Sequence, residues 1–206
     1  MTTTRPYRGV SALDRRAERR QRLLDAGLEL LGTRGAAGVS IAELCAAAGL
    51  TKRYFYEGFT SYDEFAAAVV AEAADLFAER VTKAVADLGA SSTRATTAAM
   101  VRTLVDDRRL VRLLVVEPFG AGGSLVDQRR LLILRAVEDG LELAPPRSAR
   151  AGSEDERRFR AHAVAGAVSE VLVAWFAGAF TLSEERLVDL VAELCDRMID
   201  PKRPGR

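Results

Sequence analysis

Cysteine is nearly absent from this chain: Cys45 and Cys195 are the only two in 206 residues, far apart in apolar surroundings. Two such thiols make no disulfide framework; they read as small buried hydrophobes in a reducing compartment, and a cytoplasmic location is expected. Histidine is scarcer still. His162 stands alone with no cysteine near it, which excludes a Ser-His-Asp triad, a Cys-His pair or a multi-histidine metal site. A helical di-iron centre needs Glu-x-x-His, and position 159 is Phe. The glycine-rich run GAGGS lacks the Lys-Ser/Thr ending and the preceding strand of a phosphate loop. An enzyme is therefore not expected, and no cofactor or metal is implied. Long apolar runs are also missing, because Glu170 interrupts the longest one, so no membrane partner is expected.

Proline and aromatic residues are few, whereas Ala, Leu, Val, Glu and Arg abound, a balance that favours helix over strand. Neither a strand pattern nor an internal repeat occurs. Net charge is only +1, but it is unevenly spread. Residues 1–60 carry ten Lys and Arg against six Asp and Glu, a +4 segment that leaves −3 for the rest. Such asymmetry points to a nucleic-acid-facing end on a neutral or acidic body.

The first twelve residues, MTTTRPYRGVSA, read as a flexible basic arm (1–12), in which Arg5 and Arg8 can reach into a minor groove. From Leu13 a helical stripe through Leu23, Leu24, Leu28 and Leu31 runs to GTRGAAG, where Gly35 and Gly38 are expected to take the positive φ that stops a helix. The Arg15-Arg16-Arg19-Arg20 run reads partly as a solvated face. Ser40 and Glu43 have the S-x-x-E spacing of a capping box, predicting a short helix to about Ala47. Gly49 breaks it, Leu50 plugs the turn, and Thr51 is expected to cap a helix from Lys52 to about Gly58. A second box, Ser61 to Glu64, opens a long helix to about Leu88.

Beyond Gly89 the period stays helical. Segments STRATTAAMVRTLVDD and RRLVRLLVVE precede a loop at PFGAGGS, and LVDQRRLLILRAVEDGLELA is another helix, stopped by Pro145-Pro146. A third box, Ser153 to Glu156, starts a helix to about Ala179, and Thr181 or Ser183 caps the last one. The fold class is all-α.

Two short helices around a glycine turn, the second one basic, can present a helix to a major groove. In AAAGLTKRYFYEGF (46–59), Phe55 and Phe59 lie four apart and share the core face, while Leu44, Ala48 and Leu50 complete the wedge. Small residues at Cys45 and Ala46 allow close helix approach. Lys52 and Arg53 sit at the helix start, suited to phosphate, as is the Tyr56 phenol. Tyr54 can meet a thymine methyl or a base edge, or pack. Thr51, Ser40 and Tyr62 complete the candidate DNA-facing set, and Glu57 has no assigned role.

The stretch Leu44-Cys45-x-x-Ala48-Gly49-Leu50-Thr51, followed by Phe55-Tyr56-x-x-Phe59 and Phe65, resembles the DNA-binding signature of the TetR family of bacterial transcriptional regulators. The Arg-rich helix before it, the length and the helical remainder agree. Arg53-Tyr54 stand where the family often has Gly and Thr, and Tyr62 replaces a frequent phosphate-binding Lys, which implies a different operator. The resemblance implies a helix–turn–helix domain over 13–60 and an effector-binding and dimerisation domain over 61–206. It implies a homodimeric repressor on a palindromic operator. The last two helices would pair with their symmetry mates through Ala163, Gly166, Ala167, Val171, Ala174, Leu187, Leu190, Val191 and Leu194. Between head and dimer it implies a pocket for a small hydrophobic effector. Candidates for its lining are Phe77, Met100, Leu104, Leu113, Phe119, Trp175 and Phe176, with Arg80 and His162 as polar contacts. A DNA-binding dimer without a small-molecule switch remains the alternative.

Overall fold

A computed structural model describes residues 12–89, 92–116 and 153–199. The expectations at Arg5, Arg8 and Phe119, and the helix over 125–144, lie outside the described residues. Among the described residues no strand occurs. The order is α1 (Ala12–Arg34), a 3-10 turn (Ala36–Gly38), α2 (Ile41–Ala48), α3 (Lys52–Gly58), α4 (Tyr62–Leu88), α5 (Thr93–Asp106), α6 (Arg108–Val111), α7 (Glu154–Phe176) and α8 (Glu184–Ile199).

Helix α1 buries the expected stripe: Leu23, Leu24 and Leu31 are buried and Leu28 is half-buried against the core. It lies against α2, α3, α4 and α6. A Cβ on Gly27 would stand 2.5 Å from Val69 Cγ2 and 2.6 Å from Phe65 Cζ, so only glycine lets α1 sit this close to α4. Gly35 takes the expected positive φ of 81°, but Gly38 does not; it closes the 3-10 turn instead. Ser40–Glu43 and Ser153–Glu156 form full capping boxes. Ser61 accepts from the Glu64 amide, yet Glu64 reaches back to the Thr60 amide and hydroxyl, so that box is displaced by one residue. The cap of α8 is Ser183, whose Oγ accepts from Arg186 N at 3.3 Å.

RRLVRLLVVE is not one regular helix. Asp107 caps the four-residue α6, which widens into a π turn over Arg112–Val116. The wider turn brings three consecutive aliphatics, Leu113, Leu114 and Val115, into the core. Helix α8 lies along α5 and also touches α7, which in turn rests on the π turn. Apolar residues ring α7 on all sides, and it is long and apolar enough, by length and composition, to cross a bilayer, despite Glu170. Ala161, Val164, Ala165, Leu172 and Trp175 face inward, and much of the remaining apolar surface is not buried among the described residues.

Candidate nucleic-acid interface

The turn between α2 and α3 closes through backbone bonds. Gly49 adopts a left-handed φ of 63°, its amide donates to Ala46 O at 3.1 Å, and the Leu50 amide donates to Cys45 O at 2.8 Å. These are the two bonds of a Schellman ending, and they turn the chain so that α3 starts across α2. Arg22 of α1 locks the turn by donating to Ala48 O and, at 3.4 Å, to Gly49 O. Leu44, Ala48 and Phe55 fill the wedge, with Leu50 packed beside them. Cys45 is buried, but Ala46 is exposed and contributes no close approach. Burial pushes the Cys45 thiol above its ordinary value, partly offset by the charge of Lys52.

Three rings hold α3 down. Phe55 lies 5.7 Å from Phe59 and 5.3 Å from Phe65, and Phe59 meets Phe65 edge-on at 5.0 Å. Phe55 and Phe59 are fully buried, so the expected core face is there. On the other side, Thr51, Lys52, Arg53 and Tyr56 are exposed. Thr51 has the extended backbone of a cap residue but makes no side-chain cap bond, contrary to expectation. Tyr54 is half-buried, with the Arg19 guanidinium 4.5 Å above its ring.

Glu57, without a role in the sequence, sits among cations. Arg53 Nε donates to its carboxylate at 3.0 Å, Arg19 stands 3.8 Å away, and Arg16 donates to its backbone carbonyl. Glu57 thus meets Arg19 through its carboxylate and Arg16 through its carbonyl, and the cationic surface broadens from one helix to two. The signal was in the helical period: Arg16 and Arg19 lie on the same stripe as the buried Leu23.

Ser40 and Tyr62 are engaged internally. The Ser40 hydroxyl serves the capping box, and Glu43, bound by the Ser40 amide and hydroxyl and by Arg34, is held at about 2, below the ordinary glutamate value. The Tyr62 hydroxyl donates to Ala36 O at 2.8 Å, pinning α4 to the turn before α2.

In the body, Phe77, Leu104, Leu113 and Trp175 are buried, and Met100 and Phe176 are half-buried against the same core. Trp175 donates to Leu182 O at 3.2 Å. Arg80 and His162 do not join this interior set. Arg80 is exposed and ion-paired with Asp107, and His162 lies exposed on α7 with Nδ1 2.9 Å from Arg158 O. Of the expected dimer residues, Gly166 and Leu194 are exposed, and Ala163, Ala167, Val171, Ala174 and Leu190 are half-buried. Leu187 and Val191 are corrections: each is already buried in the protomer and has no surface left for a partner. The inward side of α8 is Leu187, Val188, Val191, Ala192 and Cys195, a stripe rotated from the expected one.

Residues 23–69 match the model of bacterial regulatory proteins of the tetR family. No curated protein matches the chain in sequence. Among solved structures, it is similar to the fatty acid degradation regulator FadR from Bacillus halodurans at 16% identity, covering 86% of this chain and 94% of that one, with a TM-score of 0.66. FadR from Bacillus subtilis, in complex with stearoyl-CoA, aligns at 15% identity over 87% and 99%, TM-score 0.63. A TetR-like transcriptional regulator from Rhodococcus sp. RHA1 aligns at 22% over 87% and 94%, TM-score 0.61. At such identities the likeness is one of fold; the segment matched by the family model contains the whole turn and the ring cluster described above. The match to the tetR family of bacterial regulatory proteins falls on the helix–turn–helix segment of this chain.

Proposed function

We propose that the protein is a cytoplasmic, homodimeric repressor that reads a palindromic operator through α3 and responds to a small hydrophobic effector. The observation that carries this reading is the two-sided α3, with Phe55 and Phe59 buried and Lys52, Arg53 and Tyr56 exposed on the opposite side. An exposed basic helix start offers both side-chain cations and free amides to phosphate. The basic arm of residues 1–12 extends the contact. The dimeric reading is supported by α7: Gly166 is exposed and Ala163, Ala167, Val171 and Ala174 beside it are half-buried, a small-residue surface that a second copy would cover. Leu190 and Leu194 of α8 belong to the same face. The domain division is 13–60 for reading and 61–206 for sensing and pairing.

The effector site is assigned to the body, among Phe77, Met100, Leu104, Leu113, Trp175 and Phe176. The mostly apolar character of this set supports a hydrophobic ligand. For control, that ligand must bind one arrangement of the heads more tightly than the other.

The test is binding to duplexes recovered from a random library by the wild-type protein. Lys52→Ala and Tyr56→Phe should each weaken binding, Lys52→Ala by removing about one unit of salt slope and Tyr56→Phe by about 1 kcal/mol. Unchanged affinity in both variants would remove α3 from the DNA. A thermal-shift panel of hydrophobic compounds, including long-chain acyl-CoA thioesters because of the Bacillus subtilis complex, tests the switch. No shift across the panel favours the dimer without a small-molecule switch.

A further inference from the structure

Arg109 lies in the first turn of α6, where α1 of the reading head packs against the body. Its Nη1 donates to Glu29 Oε2 on α1 at 2.8 Å, and its Nε and Nη2 grip the two oxygens of Asp107 at 2.9 and 2.8 Å. Asp107 Oδ2 also accepts from Arg80 Nη1 on α4 at 2.9 Å, and Oδ1 accepts from the Arg109 amide at 3.1 Å. One guanidinium therefore joins α1 to the α5–α6 junction, and the same carboxylate ties that junction to α4. Helix α1 approaches so closely that a Cβ on Gly32 would stand 2.6 Å from Arg109 Cβ. A forked, planar cation gripped on two sides fixes direction as well as distance, which a lysine ammonium does not. Glu29, Arg80, Asp107 and Arg109 all lie outside α2 and α3.

We propose that Arg109 is a positioning residue for DNA reading: held by Asp107, whose carboxylate Arg80 also grips, it binds Glu29 and sets the angle at which α1 carries the helix–turn–helix away from the body. This rests on the dimeric reading above. In a two-fold dimer that angle sets the distance between the two α3 helices, which must match half-sites about 34–36 Å, or a multiple of that, apart. Without the clamp the angle varies, and the protein accepts more than one half-site spacing while its base and phosphate contacts stay as they were.

The experiment measures affinity for the library-selected duplex and for duplexes with one base pair inserted or removed at its centre. Full-length wild type, Glu29→Gln and Arg109→Lys are compared. Glu29 is largely exposed, so Glu29→Gln costs little stability and serves where Arg109→Lys disturbs folding. Wild type should prefer the selected spacing; both variants should shrink that preference about fivefold or more, the low end of typical coupling between sites. Their affinity at the best spacing should change less than the preference does. A uniform loss at every spacing, or an unchanged preference in both variants, overturns the clamp and leaves the regulator intact. Failure of wild type to select any duplex overturns the regulator itself, and the clamp with it.

Discussion

Gly49→Ala tests the turn that aims α3. The perturbation has two parts that the structure separates. The residue adopts φ 63°, a left-handed backbone that costs an alanine about 1–2 kcal/mol relative to glycine. The added Cβ would also stand 2.7 Å from Arg22 Nη2, so the guanidinium must withdraw from Ala48 O and Gly49 O. Charge-assisted bonds of this kind are worth about 1.5–3 kcal/mol, but the guanidinium is the end of a flexible side chain and recovers part of this with water, leaving about 1 kcal/mol. The sum is about 2–3 kcal/mol, which for a chain of this length lowers Tm by about 5–10 °C. Circular dichroism melts of wild type, Gly49→Ala, Arg22→Met and the double variant close the cycle. Methionine keeps the stem of Arg22 while removing the group that clashes, so in that background Gly49→Ala should cost about 1 kcal/mol less. A Gly49→Ala melt within about 1 °C of wild type would refute the handedness component. An equal penalty in both backgrounds would refute the contact with Arg22.

Two further outcomes concern the body. Asp107, bound first by the Arg109 side chain and then by Arg80, is held at about 2 against an ordinary 3.8, so its stabilisation is present above about pH 4 and is lost as pH falls through about 2. Urea midpoints between pH 5 and pH 2 should fall, and Asp107→Asn should remove about 2 kcal/mol of that fall; an identical slope in the variant would contradict the pairing. On α7, a Cβ at Gly166 meets nothing within 4 Å in the protomer, so Gly166→Arg should leave the single chain folded. If α7 pairs two copies, the same change halves the mass seen by sedimentation; a persisting dimer sends the interface elsewhere.

How much of this was legible in the sequence depends on which interactions are local. Helix period and S-x-x-E spacing are read within one turn, and they placed α2, α3 and α4 within about a residue, as well as the buried Phe55 and Phe59. Caps were less secure, because the acceptor is one atom and neighbours compete for it. Glu64 had both Ser61 and Thr60 in reach, and its carboxylate took Thr60. The π turn over Arg112–Val116 was invisible in the same sense: an aliphatic run fits an α or a π register, and burial of Leu113 to Val115 decides between them.

The candidate site divides along the same line. The outer face of α3 was readable because Lys52, Arg53 and Tyr56 are set by the position of Phe55 on one short helix. The arginines of α1 that flank it share a helical stripe with Leu23, but their meeting with Glu57, about 40 residues away, was not readable, because only the crossing of α1 over α3 brings them together. A carboxylate on a DNA-facing helix looks like a liability when its own helix alone is considered. With its carboxylate facing Arg19 and Arg53 and its backbone carbonyl accepting from Arg16, Glu57 becomes the residue that gathers three cations, at the cost of one unit of positive charge. Arg53 is paired with Glu57, so the direction of its guanidinium is tied to the arginines of α1 that meet the same residue. Under the function proposed above, an operator preference at Arg53 therefore depends on Arg16 and Arg19 of α1 as well, just as the proposed clamp makes half-site spacing depend on Arg109.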